Sequence, residues 1–307
     1  MLNQVKQLVI KQLWHSYMAD LRPVSHMQTV LQQQYNEVLS LDHFAIIDLP
    51  GPHTGIVSLI KLFSFLDYEV RGQDYLPEKQ NEFFWLAEKS SSTAYAVEAL
   101  PQVVVADFRR EALVPEVRKI IDAYASQSKP LNIEKLLNLW ELALAQDRVA
   151  ALELVNLIMD YLKGRDWPLP SIEEFEIVKN YNELLAWVLV MGRQVNHFAW
   201  SIHLSKNFSN LQAFNQFVSE ILLIALNEKG GVIKGQLEKG IEQSSTSPIT
   251  KKVVLIDGTI DLPDRFIEFV WRYSVLPTGE RPNLWKDYFT GFVANHADRV
   301  VESLYLI

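Results

Sequence analysis

Cysteine does not occur in this 307-residue chain. Its lack excludes a disulfide framework, a thiol nucleophile, a thiolate zinc site and an iron–sulfur cluster, and leaves any transition metal to His, Asp and Glu. Long apolar runs are also missing, since no stretch approaches the roughly 20 consecutive apolar residues of a membrane helix. Basic charge is scarce. The 29 Lys and Arg residues against 37 Asp and Glu give a net charge of −8, which disfavours broad binding of nucleic acid or anionic membranes. The opening Met1-Leu2-Asn3-Gln4-Val5-Lys6 has no apolar core of a secretory signal, so the expectation is a cytoplasmic protein with no membrane or nucleic-acid partner. No G-x-S-x-G nucleophile motif occurs, and Gly230-Gly231-Val232-Ile233-Lys234-Gly235 lacks the Gly-Lys-Ser/Thr ending of a phosphate loop.

What the chain does have is 49% hydrophobic residues, enough for one large core or two smaller ones, arranged in two textures. Residues 1–40 read as helices. Leu8, Ile10, Leu13 and Trp14 recur at helical spacing, Pro23 interrupts, and a second helix is expected over Ser25–Leu39 with a Ser25/Gln28 capping box. From residue 41 short strands follow: His43–Leu49, a helix through Ile56, Leu59, Ile60, Phe63 and Leu66, then strands at Tyr68–Val70, Phe83–Leu86 and Val103–Phe108. Residues 115–192 return to helical periodicity, including one helix over Ile172–Val190. Over 193–280 the first pattern comes back: strand Val195–Leu204, a helix carrying Leu211 to Ile221 and ended by Gly230-Gly231, and strands near Val232–Lys234, Val253–Ile256 and Phe266–Trp271. A C-terminal helix is expected within 281–307, through Trp285–Leu304.

The two strand-rich segments share a marker. His-Phe-Ala occurs as His43-Phe44-Ala45 and again as His197-Phe198-Ala199, each in the first strand of its segment. Phe63 and Phe217 each lie 20 residues beyond their histidine, and Arg71-Gly72-Gln73 has a counterpart in Lys234-Gly235-Gln236. The reading is an α+β protein with two βαβββ modules, 41–114 and 193–280, whose sheets form a cleft. Strand alternation puts His43, Ala45 and Ile47 on one face, and His197, Ala199 and Ser201 on one face, with the small alanines leaving room for a ligand. A third ligand is offered by Glu268, a carboxylate between bulky apolar neighbours in a strand, costly to bury unless it is paired or coordinates a cation. Two imidazoles and a carboxylate form the facial triad typical of mononuclear non-heme Fe(II). Each histidine alone also reads as a hydrogen-bonded strand residue, and Glu268 as a partner of Arg265 or Arg272. His203, six residues after His197, reads as a pocket residue or a satisfied strand-end histidine.

At these residues the chain resembles the 2-oxoadipate dioxygenase/decarboxylase (hydroxyglutarate synthase) family, a divergent branch of the vicinal oxygen chelate superfamily. The resemblance rests on Asp42-His43-Phe44-Ala45, Pro101-Gln102-Val103-Val104-Val105-Ala106-Asp107-Phe108 with Leu113, Val195-Asn196-His197-Phe198, and Phe266-Ile267-Glu268-Phe269. It implies an open barrel of two modules around Fe(II), with His43, His197 and Glu268 as ligands. It further implies O₂-dependent decarboxylation and hydroxylation of a 2-oxo acid, 2-oxoadipate giving 2-hydroxyglutarate. Zn, Mn or Ni are substitute metals. The family has an arginine four residues after the first metal histidine to grip a substrate carboxylate, and here that position is Ile47. Candidate replacement cations are Arg71, Arg109, Arg110, Lys79 and Arg272, the last reading equally as an ion-pair partner behind the ligands. The competing functions are a redox-neutral metal lyase, isomerase or hydrolase, and a non-catalytic binding protein that retains the scaffold.

Overall fold

The computed structural model describes residues 1–19 and 21–293. Two helices come first, α1 (Leu2–Ala19) and α2 (Arg22–Tyr35). Pro23 starts α2 instead of interrupting a pattern, because a proline in the first helical turn gives up no intrahelical hydrogen bond. The expected capping box at Ser25 does not form: Ser25 Oγ donates to the carbonyl of Met18, and the helix stops at Asn36 in the left-handed conformation.

The first strand-rich stretch runs β1 (Leu41–Ile47), α3 (Ile56–Ser64), β2 (Tyr68–Leu76), β3 (Asn81–Glu88) and β4 (Gln102–Phe108). Five helices follow: α4 (Pro115–Ala125), α5 (Ile133–Leu144), α6 (Arg148–Leu162), α7 (Ile172–Tyr181) and α8 (Glu183–Met191). The single helix expected over Ile172–Val190 is broken at Asn182, whose extended backbone and side chain cap α8 by accepting from Leu185 N–H at 3.0 Å. The second strand-rich stretch is β5 (Val195–Ser201), α9 (Leu211–Gln216), β6 (Lys234–Gln236), β7 (Ile241–Ser245), β8 (Thr250–Val254), β9 (Thr259–Pro263) and β10 (Ile267–Arg272). The helix expected up to Gly230-Gly231 ends in a π turn at Phe217–Ile221, and the two glycines form a later turn at positive φ. The segment around Val253–Ile256 belongs to a separate β8–β9 hairpin, and its expected place in the main sheet is taken by β7. Trp285–Asp287 is a 3-10 turn; from residue 294 the expected C-terminal helix lies outside the described residues.

Eight strands form one mixed sheet in the order β2-β3-β4-β1-β5-β10-β7-β6, which curls into a half-barrel. Within each half the first strand pairs in parallel with the last, β1 with β4 and β5 with β10, and the halves join through the antiparallel β1–β5 pair. One face is apolar and covered by helices: Phe44, Ile46, Phe198, Trp200, Ile267 and Phe269 pack with Val9, Leu13 and Trp14 of α1 and with α5 and α6. Trp14 meets Phe198 edge-on at 5.1 Å. On the opposite, concave face Ile47, Leu76 and Phe83 pack with α4, α7 and α8. Two further devices hold the frame. Lys6 of α1 reaches Glu88 at 2.6 Å and Asp67 at 3.0 Å at one edge of the sheet. The N-terminus of α3 is held by two aspartates, Asp48 accepting from Gly55 N–H at 2.9 Å and Asp107 from Ile56 N–H at 3.0 Å. Gly55 has φ +83°, and a Cβ there would collide with the Asp107 carboxylate, so this turn requires glycine.

Candidate metal centre

The concave face gathers the residues that the repeat singled out. His43 on β1, His197 on β5 and Glu268 on β10 are all buried, 1%, 6% and 1% exposed, and one donor atom from each lies within 4.8 Å of the others. His43 Nε2 is 3.3 Å from Glu268 Oε2, and His197 Nε2 is 3.1 Å from Glu268 Oε1. The sheet register makes room for them with small residues. His43 faces Ala199, His197 faces Ala45, and Glu268 lies between Ala199 and Ser245.

Two β-bulges aim the imidazoles. Between Leu41 and His43 the first strand advances by two residues while its partner advances by one, so Asp42 is the extra residue. Between His197 and Val195 the roles reverse, and Asn196 is the extra residue. A bulged residue is released from the regular alternation and can reach sideways. Asp42 Oδ1 accepts from His43 Nδ1 at 2.8 Å, and Asn196 Oδ1 accepts from His197 Nδ1 at 2.9 Å. With the proton held at Nδ1, each Nε2 turns its lone pair toward the Glu268 carboxylate. Gln243 of β7 donates to Glu268 Oε2 at 3.2 Å. Two nitrogen lone pairs and a buried carboxylate thus converge at one point, a donor set that a divalent cation satisfies and that two neutral imidazoles alone do not.

Charge behind the two histidines is unequal. Burial opposes protonation of His43, but the Asp42 and Glu268 carboxylates prevail and lift it above the ordinary imidazole value. His197, backed by a neutral amide, is pushed down by burial to about 4. Burial works to raise Glu268, yet the two histidines hold it below its usual range. Burial likewise works to raise Asp42, and Arg272 followed by His43 overcomes it, keeping the carboxyl far below the usual carboxylate range. All five N–H donors of Arg272 are engaged here: two with Asp42 at 2.8 Å each, two with the carbonyls of Phe289 and Gly291 at 2.9 Å, and one with Gln102 at 3.1 Å.

The cavity above the three donors is lined by Ala45, Ile47, Leu76, Asn81, Phe83, Val104, Ala106, Gln243 and Phe292. The shared face of His43, Ala45 and Ile47 is therefore the cavity face. Phe292 stands edge-on to His43 at 4.9 Å, and Phe266 stacks on His197 at 5.1 Å. The other candidates lie elsewhere. Arg71 is on the exposed part of β2, paired with Glu69 at 3.0 Å. His203 sits in a 3-10 turn, Ile202–Leu204, and not on the strand expected to run to Leu204. It lies against Tyr288, with Nδ1 3.4 Å from the Val270 carbonyl. Glu268 pairs with neither Arg265 nor Arg272 among the described contacts, and Arg265 is bonded to the carbonyls of Ser16 and Tyr17. A wider surface cleft runs past Asp107, Arg109, Arg110 and Asp122, but its cations are already paired, Arg110 with Asp122 at 2.6 Å and Arg109 with Glu82 at 3.4 Å. Asp42, Asn196 and Gln243, which hydrogen-bond the three candidate ligands, were given no role from the sequence. A short polar side chain directly before each histidine was the available signal.

Among the described residues no helix is long and apolar enough to cross a membrane. A curated relative, the chloroplastic 2-oxoadipate dioxygenase/decarboxylase of Arabidopsis thaliana, is 28% identical over 283 residues, covering 88% of this chain and 69% of its own. The fold is that of the hydroxyglutarate synthase of Oryza sativa solved with 2-oxoadipate (TM-score 0.78, 23% identity, 98% of this chain and 93% of that one). It is also that of a glyoxalase-superfamily protein of Ralstonia eutropha JMP134 (TM-score 0.77, 16% identity, 94% and 86%). The sequence profile that describes 2-oxoadipate dioxygenase/decarboxylase matches residues 12–297, nearly the whole length, and by that match the chain belongs to the 2-oxoadipate dioxygenase/decarboxylase family.

Proposed function

We propose that this chain is a mononuclear Fe(II)-dependent dioxygenase/decarboxylase acting on a small 2-oxo acid of the 2-oxoadipate type, with His43, His197 and Glu268 as the metal ligands. The observation that carries the reading is the convergence of two imidazole Nε2 atoms on a buried carboxylate beside a mostly apolar cavity, in a chain of this family. His43, His197 and Glu268 would hold the metal as two imidazoles and one carboxylate, the donor set of mononuclear non-heme Fe(II) oxygenases. Bound there, Fe(II) would supply the redox chemistry that lets O₂ react with an organic acid.

The chain's own contribution is positional. Asp42 and Asn196 keep a proton on Nδ1 of each histidine, Arg272 neutralises Asp42, and Gln243 fixes the carboxylate of Glu268. Phe292, edge-on to His43, and Phe266, stacked on His197, set apolar surface against the ligand end of the cavity. In the overall reaction the C1–C2 bond breaks and C1 leaves as CO₂. One O₂ atom completes the new carboxylate at C2 and the other becomes a hydroxyl on the adjacent carbon, so that 2-oxoadipate and O₂ give CO₂ and 2-hydroxyglutarate. The matching strand order of the two halves supports reading the sheet as two βαβββ modules, 41–114 and 193–280, related by a pseudo-twofold axis between β1 and β5.

The test is O₂ uptake by anaerobically Fe(II)-loaded protein with a panel of 2-oxo acids, with products followed by mass spectrometry under ¹⁸O₂. Uptake should accompany a chain-shortened 2-hydroxy acid carrying label in both its hydroxyl and its carboxylate. A full panel without uptake would refute the reading.

A further inference from the structure

We infer that Gln102 and Arg272 are positioning residues that strap the segment 289–292 against the ligand end of the cavity and tie its place to His43, so that a metal held by His43 steadies the strap. This deepens the function proposed above and rests on its reading of His43 as a ligand. The segment belongs to no helix or strand, so its carbonyls must find partners one by one. Three consecutive carbonyls find them in two buried side chains. Arg272 Nη1 donates to those of Phe289 and Gly291 at 2.9 Å each, and Gln102 Nε2 donates to that of Thr290 at 3.0 Å. Gln102 and Arg272 are each 1% exposed, and Gln102 Oε1 accepts from Arg272 Nη2 at 3.1 Å. The strap carries Phe292, whose ring stands 4.9 Å from that of His43 and 5.1 Å from the Arg272 guanidinium.

The same two side chains reach the ligand. Gln102 lies beside His43 in the β1–β4 register, and Arg272 grips both oxygens of Asp42, whose Oδ1 holds His43 Nδ1. Contacts therefore run from imidazole to carboxylate to guanidinium to the strap, and the charged links among them are the strong, directional kind. No member can turn without leaving a buried polar group unpaired, so orientation is passed along the chain. A metal on His43 Nε2 fixes the imidazole, and by linkage an ordered strap in turn favours the metal. Arg272 cannot be removed cleanly, because Asp42 would be left as a buried charge without a partner. Gln102 can be. Without it Arg272 keeps its two bonds to Asp42 and its two to the strap, and only the middle carbonyl of the strap is released.

Hydrogen exchange followed by mass spectrometry tests this on the chelator-treated full chain, with and without saturating Mn(II). Peptides spanning 288–293 read the strap, and the β8–β9 hairpin, which forms a separate sheet, serves as the control. In wild-type protein Mn(II) is expected to slow exchange in the strap about tenfold and to leave the hairpin unchanged. Gln102→Leu should speed strap exchange about tenfold in the absence of metal and cut the slowing by Mn(II) to less than about twofold. Calorimetry should find Mn(II) still bound to that variant, weaker by no more than the factor by which the metal slows the wild-type strap. Gln102→Glu keeps the acceptor for Arg272 and loses only the donor to Thr290. It should loosen the strap in the same direction, and it decides the role of Gln102 where Gln102→Leu fails to fold. Mn(II) bound by wild-type protein with strap exchange unmoved would overturn the coupling and leave the ligand reading standing. Full slowing by Mn(II) in both variants would remove Gln102 from the chain of contacts. No binding of Mn(II) to wild-type protein would overturn the ligand reading itself.

Discussion

Asp107 stands where a strand end, a helix start and a second acid meet. Burial raises its carboxyl, Asp48 adds to that, and the Ile56 N–H only partly offsets it, so the group is pushed up to about 7. In the unfolded chain it returns to roughly 3.9. Between these values the folded state keeps a proton that the unfolded state has released, so stability falls as pH rises through that window. Asp107→Asn keeps an acceptor for Ile56 and removes the titration. Its stability relative to wild type is expected to be roughly 2 kcal/mol more favourable near pH 8 than near pH 5. Denaturant titrations at the two pH values check this, and an equal difference at both would contradict it. Single residues also set how far the site could be read from sequence. His43 and His197 were legible because a short motif recurs at equivalent places, and Glu268 because a carboxylate among Phe266, Ile267 and Phe269 demands an explanation. Gln243 was not legible. Glu242-Gln243-Ser244-Ser245 has no apolar alternation to mark a strand, yet it lies in β7, one strand in from the sheet edge, and Gln243 lines the cavity.

Elements were read well where packing is one-sided and badly where it is not. The strand β1, the helix α3 and the helices around Leu136 and Val155 each bury a regular apolar face, so periodicity found them. β7 has no such face, and the break at Asn182 lies between two runs of equally apolar residues, where only the capping side chain marks the join. One side chain of the N-terminal helix α1 hydrogen-bonds to the backbone that leads into the site strands. The Tyr17 hydroxyl donates to the Phe266 carbonyl, lies 3.3 Å from the Asn196 carbonyl and accepts from Phe266 N–H at 3.2 Å, bridging the approach to β10 and the start of β5. Burial raises the phenol far above its ordinary value, so it serves there as a neutral hydrogen-bonding group. Tyr17→Phe leaves buried backbone groups short of a partner and is expected to cost about 1–3 kcal/mol. Chemical denaturation gives the loss, with unchanged far-UV circular dichroism showing that the fold persists. A loss near zero would mean that the Tyr17 hydroxyl adds nothing to the apolar packing and ion pairs that hold α1.

At the scale of the molecule, the proposed ligands come from both halves of the sheet, one from β1 and two from β5 and β10. A cation bound by all three acts on the native state and not on the unfolded chain. At a hundredfold excess over its dissociation constant it should therefore add about 2.7 kcal/mol. Thermal scans of chelator-treated protein with and without Fe(II) or Mn(II), kept anaerobic, should show a rise of several degrees that His43→Ala, His197→Ala and Glu268→Gln each abolish. An undiminished rise in any of the three would remove that residue from the ligand set. The two bulges between β1 and β5 carry this further, into the order of assembly. Those strands lie about 150 residues apart in the chain, so their pairing closes one of the longest loops and belongs among the late folding events. A slip of one residue there would turn an imidazole to the helix-covered face. A chain with only its first half folded owns one of the three proposed ligands. The capacity to hold a metal would thus be acquired only once the two halves of the sheet have met.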